Sequence, residues 1–167
     1  MQTHLIIGNI FSLLSAICIA VSVVKENKKT VILWQLWNIV FSIFTCIALE
    51  AYAALIVCSI VLVRNILEYK NRLSHKITFV LMILCVMVGL AVNNLGVIGL
   101  LAIIASTSYT LFIHITKNAQ QLRWALLSNL ILWLIHDSYI QSYPAAITCA
   151  VLIVWTILQI IRNRHSN

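Results

Sequence analysis

Charge is what this chain has least of. Only 9% of its 167 residues are Asp, Glu, Lys or Arg and only four are acidic, against 62% apolar residues and a mean hydropathy of +1.03. A soluble domain would have to expose that apolar surface to water, so residues 1–167 are expected to form a single integral membrane domain. The first four residues, Met1-Gln2-Thr3-His4, lack the basic leader of a signal peptide, so the first apolar run is expected to be retained. Cysteine offers no CxxC or His-Cys spacing: Cys18, Cys46, Cys58, Cys85 and Cys149 all fall inside apolar runs. Neither a disulfide framework nor a zinc site is indicated, no cofactor is called for, and the five thiols are expected to pack as small hydrophobes. The four carboxylates, Glu26, Glu50, Glu68 and Asp137, fall at or beyond the ends of these runs. Ion-coupled carriers usually need a carboxylate at midplane, so the pattern favours passive movement of an uncharged solute.

The basic residues that are present carry a topology. Ten of the 11 Lys and Arg form four clusters: Lys25, Lys28 and Lys29; Lys70, Arg72 and Lys76; Lys117 and Arg123; Arg162 and Arg164. Between them lie seven apolar spans, at roughly 5–24, 30–49, 51–69, 77–92, 95–115, 122–140 and 143–161, each near the length needed to cross ~30 Å of hydrocarbon. The links after the second, fourth and sixth spans carry no Lys or Arg. Retained positive charge marks the cytoplasmic side, which places the amino terminus outside and the carboxyl terminus inside. In a membrane chain the net charge of +7 reads as helix-end anchoring and contact with lipid headgroups, not nucleic-acid binding.

The spans also suggest an internal repeat. At an offset of 92, Asn71-Arg72-Leu73-Ser74 falls on Asn163-Arg164-His165-Ser166, Ala53-Ala54 on Ala145-Ala146 and Lys25 on Lys117. At 91, Gly8 falls on Gly99, Ser15 on Ser106 and Asn38 on Asn129. Three helices, a linker helix and three more would return the second triplet to the orientation of the first. The expected fold is therefore all-α with seven transmembrane helices: repeat one at 5–72, a linker helix at 77–92 and a parallel repeat two at 95–164. Parallel repeats of this kind build transporters with the solute site where the repeats meet.

At this point the chain resembles known families. The three-plus-one-plus-three plan looks like that of the SWEET sugar transporters and PnuC vitamin-precursor transporters, and Trp34-Gln35-Leu36-Trp37-Asn38 is similar to the PnuC Trp-x-x-Trp-Asn signature. From about residue 95 to Arg164 it resembles the YgjV family of bacterial inner-membrane proteins. The residues that carry this are Ile135-His136-Asp137, Tyr143-Pro144-Ala145 and Ile160-Ile161-Arg162, with Arg64 fitting an arginine of the first half. Val61 stands where that family has an Asn three residues earlier, and the Pro-Gln signature of the sugar transporters is missing. The only proline, Pro144, opens the seventh span, where its lacking N–H costs nothing. The resemblance implies a multi-pass protein of the bacterial inner membrane.

Polar residues recurring within apolar spans mark faces turned to the bundle interior. Trp34, Trp37, Asn38, Phe41, Ser42 and Thr45 recur at three- and four-residue steps in span two, and Ser128, Asn129, Trp133, His136 and Asp137 form the related stripe of span six. An indole beside an amide suits a neutral polar ligand such as a sugar, nucleoside or vitamin precursor. Trp37, Asn38, Asn129 and Trp133 are thus the candidate solute contacts, with Asn38 and Asn129 expected to face each other across the repeat axis. A structural clasp between the two amides is the competing reading. Trp34, Arg64, Ser106, Thr110, His114, His136 and Asp137 are candidates for a gate or pathway. Arg64 also fits an Arg64–Glu68–Arg72 ladder, and Trp34 an interfacial aromatic belt.

Enzymatic chemistry is not expected. His136, Asp137 and Ser138 are consecutive, and successive helical residues point 100° apart, which argues against a relay among them. The expected function is facilitative transport of an uncharged polar solute, the alternative a non-transporting structural or assembly protein of the inner membrane. The expected partners are the lipid bilayer and a small neutral solute, and a homo-oligomer is compatible with this composition.

Overall fold

The computed structural model describes residues 2–23, 28–70, 72–115 and 119–164. Lys25, Asn71, Lys117, His165 and Ser166 lie outside the described residues, as do the side chains of Lys28, Lys29, His114, Arg123 and Arg164. Among the described residues there are seven α-helices: α1 (Gln2–Val23), α2 (Lys28–Ala48), α3 (Tyr52–Tyr69), α4 (His75–Ala91), α5 (Val97–Ile115), α6 (Ala119–Tyr139) and α7 (Tyr143–Arg164). Segments of α1, α3 and α7 are long and apolar enough to cross a membrane, and shorter apolar stretches run through α2, α4 and α5. In α6, Ser128, Asn129, His136 and Asp137 interrupt the leucines and isoleucines, and it falls in neither group.

The molecule is apolar outside and keeps much of its polar side-chain complement inside, among a core of Ile, Val, Cys and Ala. Ile6, Ile10 and Leu13 on α1, Phe79, Ile83 and Met87 on α4, and Ile147, Val151 and Val154 on α7 are exposed. Ser12, Ser15, Thr45, Asn65, Thr78, Thr110, His136, Asp137, Ser142 and Thr156 are buried. Water would invert that distribution, whereas hydrocarbon favours it, since every polar group must then find its partner inside.

Among the described residues, helix α1 packs on α2 and α7, α2 on α3, α3 on α5, α5 on α6 and α6 on α7, while α4 packs only on α3 and α5. Six helices therefore close a ring, with α4 against one of its seams. Helices α2 and α6 make no close backbone approach across it. A shared core lies between them: Ile39 and Cys46 of α2, Val57 and Cys58 of α3, and Ala102 and Ile103 of α5 cluster, and Trp133 and Ile140 of α6 pack against them. Small residues set the spacing at the seams, as interhelical packing in membranes favours. A Cβ on Gly8 would come within 2.7 Å of Leu49, and one on Gly99 within 1.9 Å of the Asn93 side chain and 3.3 Å of Ala53.

The α2–α3 and α6–α7 turns have one geometry. Glu50 (φ 54°) and Gln141 (φ 60°) both adopt the left-handed conformation that ends a helix. The Ala51 N–H bonds the Cys46 carbonyl at 2.9 Å and the Ser142 N–H the Asp137 carbonyl at 2.9 Å, while Leu49 to Thr45 is matched by Ile140 to His136. Each of these pairs is 91 residues apart. An asparagine from a neighbouring segment then locks each turn. The Asn94 amide donates to the Glu50 carbonyl (2.6 Å) and accepts from the Tyr52 N–H (3.2 Å); the Asn9 amide donates to the Gln141 carbonyl (3.0 Å) and accepts from the Tyr143 N–H (3.0 Å). Asn94 precedes α5, which packs on α3, and Asn9 belongs to α1, which packs on α7. Ser12 completes the second cap by accepting from the Ala145 N–H (3.0 Å) and from the Ser142 hydroxyl (2.8 Å). Pro144 is the second residue of α7, in the first turn where a missing N–H is tolerated.

Candidate functional site

The polar residues singled out from the sequence fall into three separate places. The first is the α1–α2 seam. The Asn38 amide donates to the Ser15 carbonyl (3.0 Å) and hydroxyl (2.8 Å), and the Ser15 and Ser42 hydroxyls are 2.8 Å apart. Asn38 and Asn129 are not brought together: Asn38 spends its amide on α1, and α2 and α6 stay apart. Nor do the polar residues of α2 share one face. Trp37 is 52% exposed and stacks on Phe41 at 6.1 Å, while Asn38 and Ser42 turn to α1 and Ile39 and Cys46 to the core. The reason is the 100° step between Trp37 and Asn38, which sends neighbours to different faces. Trp34 is half-buried.

The second place is a small, largely apolar cavity of about 20 Å³ between α3, α4 and α5, lined by Ile60, Val61, Leu81, Met82 and Cys85 together with Arg64, Thr78, Ser106, Thr107 and Thr110. The Arg64 guanidinium donates to the Thr110 hydroxyl (2.9 Å) and, at 3.3 Å from two nitrogens, to the buried Asn65 amide oxygen. Thr110 in turn donates to the Ser106 carbonyl (2.7 Å), and Thr78 to the Ser74 carbonyl (3.1 Å). Arg64, Ser106 and Thr110, chosen independently from two spans, thus converge. Sequence reasoning missed Asn65, whose carboxamide shares the guanidinium. His114 is on the same helix as Ser106 and Thr110.

The third place is the inner face of α6. Asn129, Trp133, His136 and Ile140 follow at steps of four, three and four, so they share one stripe, and Trp133 and Ile140 lie on the core. His136 is fully buried at 0% exposure, its ring 5.3 Å from that of Trp133 at 80°. Its Nδ1 lies 3.1 Å from Oδ1 of Asp137, itself only 8% exposed. This corrects the argument from the 100° step: the short Asp137 side chain folds back onto the imidazole although the two residues are consecutive. Ser138 is exposed and takes no part in the pair. Asp137 lies in the last turn of α6, at a helix end as expected, but it is buried under the α6–α7 turn, where the Ser142 N–H bonds its carbonyl, while Glu50 at the corresponding turn is exposed.

Two atoms on this stripe are buried without a hydrogen-bond partner among the described residues: Nε2 of His136 and Oδ1 of Asn129. An unsatisfied buried polar group costs about 1–3 kcal/mol, so each is a place where a partner is wanted. The pair is separated by seven residues, roughly 10 Å along the helix axis, with the Trp133 indole between. The sequence offers no sign that Asn9, Ser12, Ser15, Ser142 and Asn94 join separate segments. No local spacing betrays them, because the bonds join residues as far apart as 134 positions in the chain.

An apolar exterior, a closed ring of helices and buried, mutually bonded polar side chains define a helical membrane protein. A family model described as "Bacterial inner membrane protein", Imp-YgjV, matches residues 6–167, and the chain belongs to that family. The match takes in nearly the whole chain, beyond the second half whose motifs suggested it. No curated protein and no solved structure matches this chain.

Proposed function

We propose that this protein is a facilitative transporter of a small uncharged polar solute, built from two parallel three-helix repeats. The observation that carries the reading is the α6 stripe, where Asn129 Oδ1 and His136 Nε2 are buried, unpartnered and turned with Trp133 toward the interior of the ring. A purely structural polar group would be satisfied by its neighbours, as Asn38 is; a solute-handling group keeps a vacant valence for its cargo. The repeat is supported by the two turns related at 91 residues and by a packing order that is unchanged when α1, α2 and α3 are exchanged with α5, α6 and α7. All seven helices span the membrane in this reading, with the amino terminus outside and the carboxyl terminus inside, as the basic clusters at alternate links require. Helix α4 is then the linker that returns the second triplet to the orientation of the first, the general plan of the SWEET and PnuC transporters.

A second reading, a structural or assembly protein, is favoured by the closed Asn38–Ser15–Ser42 clasp, which needs no ligand. Uptake measurements separate the two. Purified protein in liposomes should equilibrate at least one labelled neutral solute from a panel of pentoses, hexoses, polyols and nucleosides faster than empty liposomes do. Permeability equal to that of empty vesicles for the whole panel would leave the structural reading in place.

A further inference from the structure

The α6 stripe specifies which kind of hydrogen bond its occupant must make. We propose that it binds a solute as a pair of hydrogen-bond acceptors, taking O–H or N–H donors from an uncharged polyol, sugar or nucleoside and turning away carboxylates and phosphates. The inference rests on the transport reading for its place in the ring, and on tautomer chemistry for its content.

An imidazole has one N–H in its neutral form, and the partner of one nitrogen decides the state of the other. Nδ1 of His136 faces Asp137 Oδ1 at 3.1 Å. With Asp137 ionised, its carboxylate can only accept, and the proton then sits on Nδ1 and leaves Nε2 with a bare lone pair. The second unpartnered atom, Asn129 Oδ1, is also an acceptor. The stripe therefore offers two lone pairs roughly 10 Å apart along the helix, with a flat indole between them. A molecule with donors at two ends and an apolar face between fits this description, since sugar and base rings stack on indoles. An anion would bring more lone pairs to a place that already holds two, beside the Asp137 carboxylate.

Nitrogen-15 NMR of histidine-labelled protein in lipid nanodiscs tests this on the intact chain. A variant with His4, His75 and His165 changed to Gln leaves two histidines, and the signals lost on a further His136→Gln change are those of His136. The expected spectrum has a protonated Nδ1 and an unprotonated Nε2, and adding ribose or uridine should shift Nε2 as it accepts a donor, whereas ribonate should leave it in place. A protonated Nε2, a shift produced by ribonate alone, or no shift with either neutral probe would overturn the proposal. Uptake assays on the same preparation keep the two readings apart. A bare Nε2 that responds to ribose in a protein that moves no solute would sink transport and leave the acceptor site standing; uptake of solute with a protonated Nε2 would do the reverse.

Discussion

Replacing Asn38 by Ala separates a helix clasp from a solute contact. In the structure its amide makes two hydrogen bonds to Ser15, at 3.0 and 2.8 Å, and Ser15 passes the second on to Ser42 at 2.8 Å. Side-chain hydrogen bonds between membrane helices average about 0.6 kcal/mol and reach about 1.7. Losing both, with the Ser15 hydroxyl retaining Ser42, should therefore cost about 1–2 kcal/mol. That is a factor of roughly 5 to 30 in the ratio of folded to unfolded protein. Reversible unfolding in mixed micelles reads the loss directly, and a double-mutant cycle with Ser15→Ala should return a coupling of about 0.5 kcal/mol or more, as residues in one network do. Solute flux per folded molecule should be kept. The reasoning is refuted if Asn38→Ala and Ser15→Ala are additive, or if stability is untouched while flux collapses, for Asn38 would then be holding cargo.

The two turns give a matched pair of tests. Glu50→Gly and Gln141→Gly place the residue that tolerates a left-handed backbone at φ 54° and 60°, and each should raise stability by up to about 1 kcal/mol, seen as a higher Tm. Asn9→Leu and Asn94→Leu each remove two turn-locking hydrogen bonds and should lower stability by about 1–2 kcal/mol, to a similar extent; a large loss from one and none from the other would break the equivalence of the turns. Gly99→Val drives a Cβ to 1.9 Å from the Asn93 side chain and 3.3 Å from Ala53, and should destabilise by about 1–3 kcal/mol or more in the same micelle assay. A neutral result would mean that α3 and α5 are not in close contact there.

How much was legible follows from what each signal measures. Apolar run length is a one-dimensional property, so all seven helices appear where the runs lie, with ends within three residues of those expected. Facing is a different matter. In a helix whose outside meets hydrocarbon and whose inside is mostly Ile, Cys and Ala, polarity distinguishes the faces only weakly, which is why Trp37, Asn38 and Cys46 were not sorted among lipid, α1 and core. On α6 the same counting gathers Asn129, Trp133 and His136 at one azimuth with Trp133 on the core, while Ser128, counted into the same stripe, is exposed. The sequence pairs Asn38 with Asn129 and Ser15 with Ser106 at one offset, yet only the first amide closes a clasp with its serine. Nothing in spacing alone could reveal that asymmetry, since it depends on how far apart two helices stand.

That asymmetry is where the account can be tested most directly. The initial rate of counterflow of labelled ribose or uridine should be measured in proteoliposomes holding equal amounts of folded wild type, Asn129→Leu and His136→Leu. The account predicts exchange by the wild type well above that of empty liposomes, and its loss in both variants. Wild type indistinguishable from empty liposomes, or variants that exchange as fast as the wild type, would contradict it.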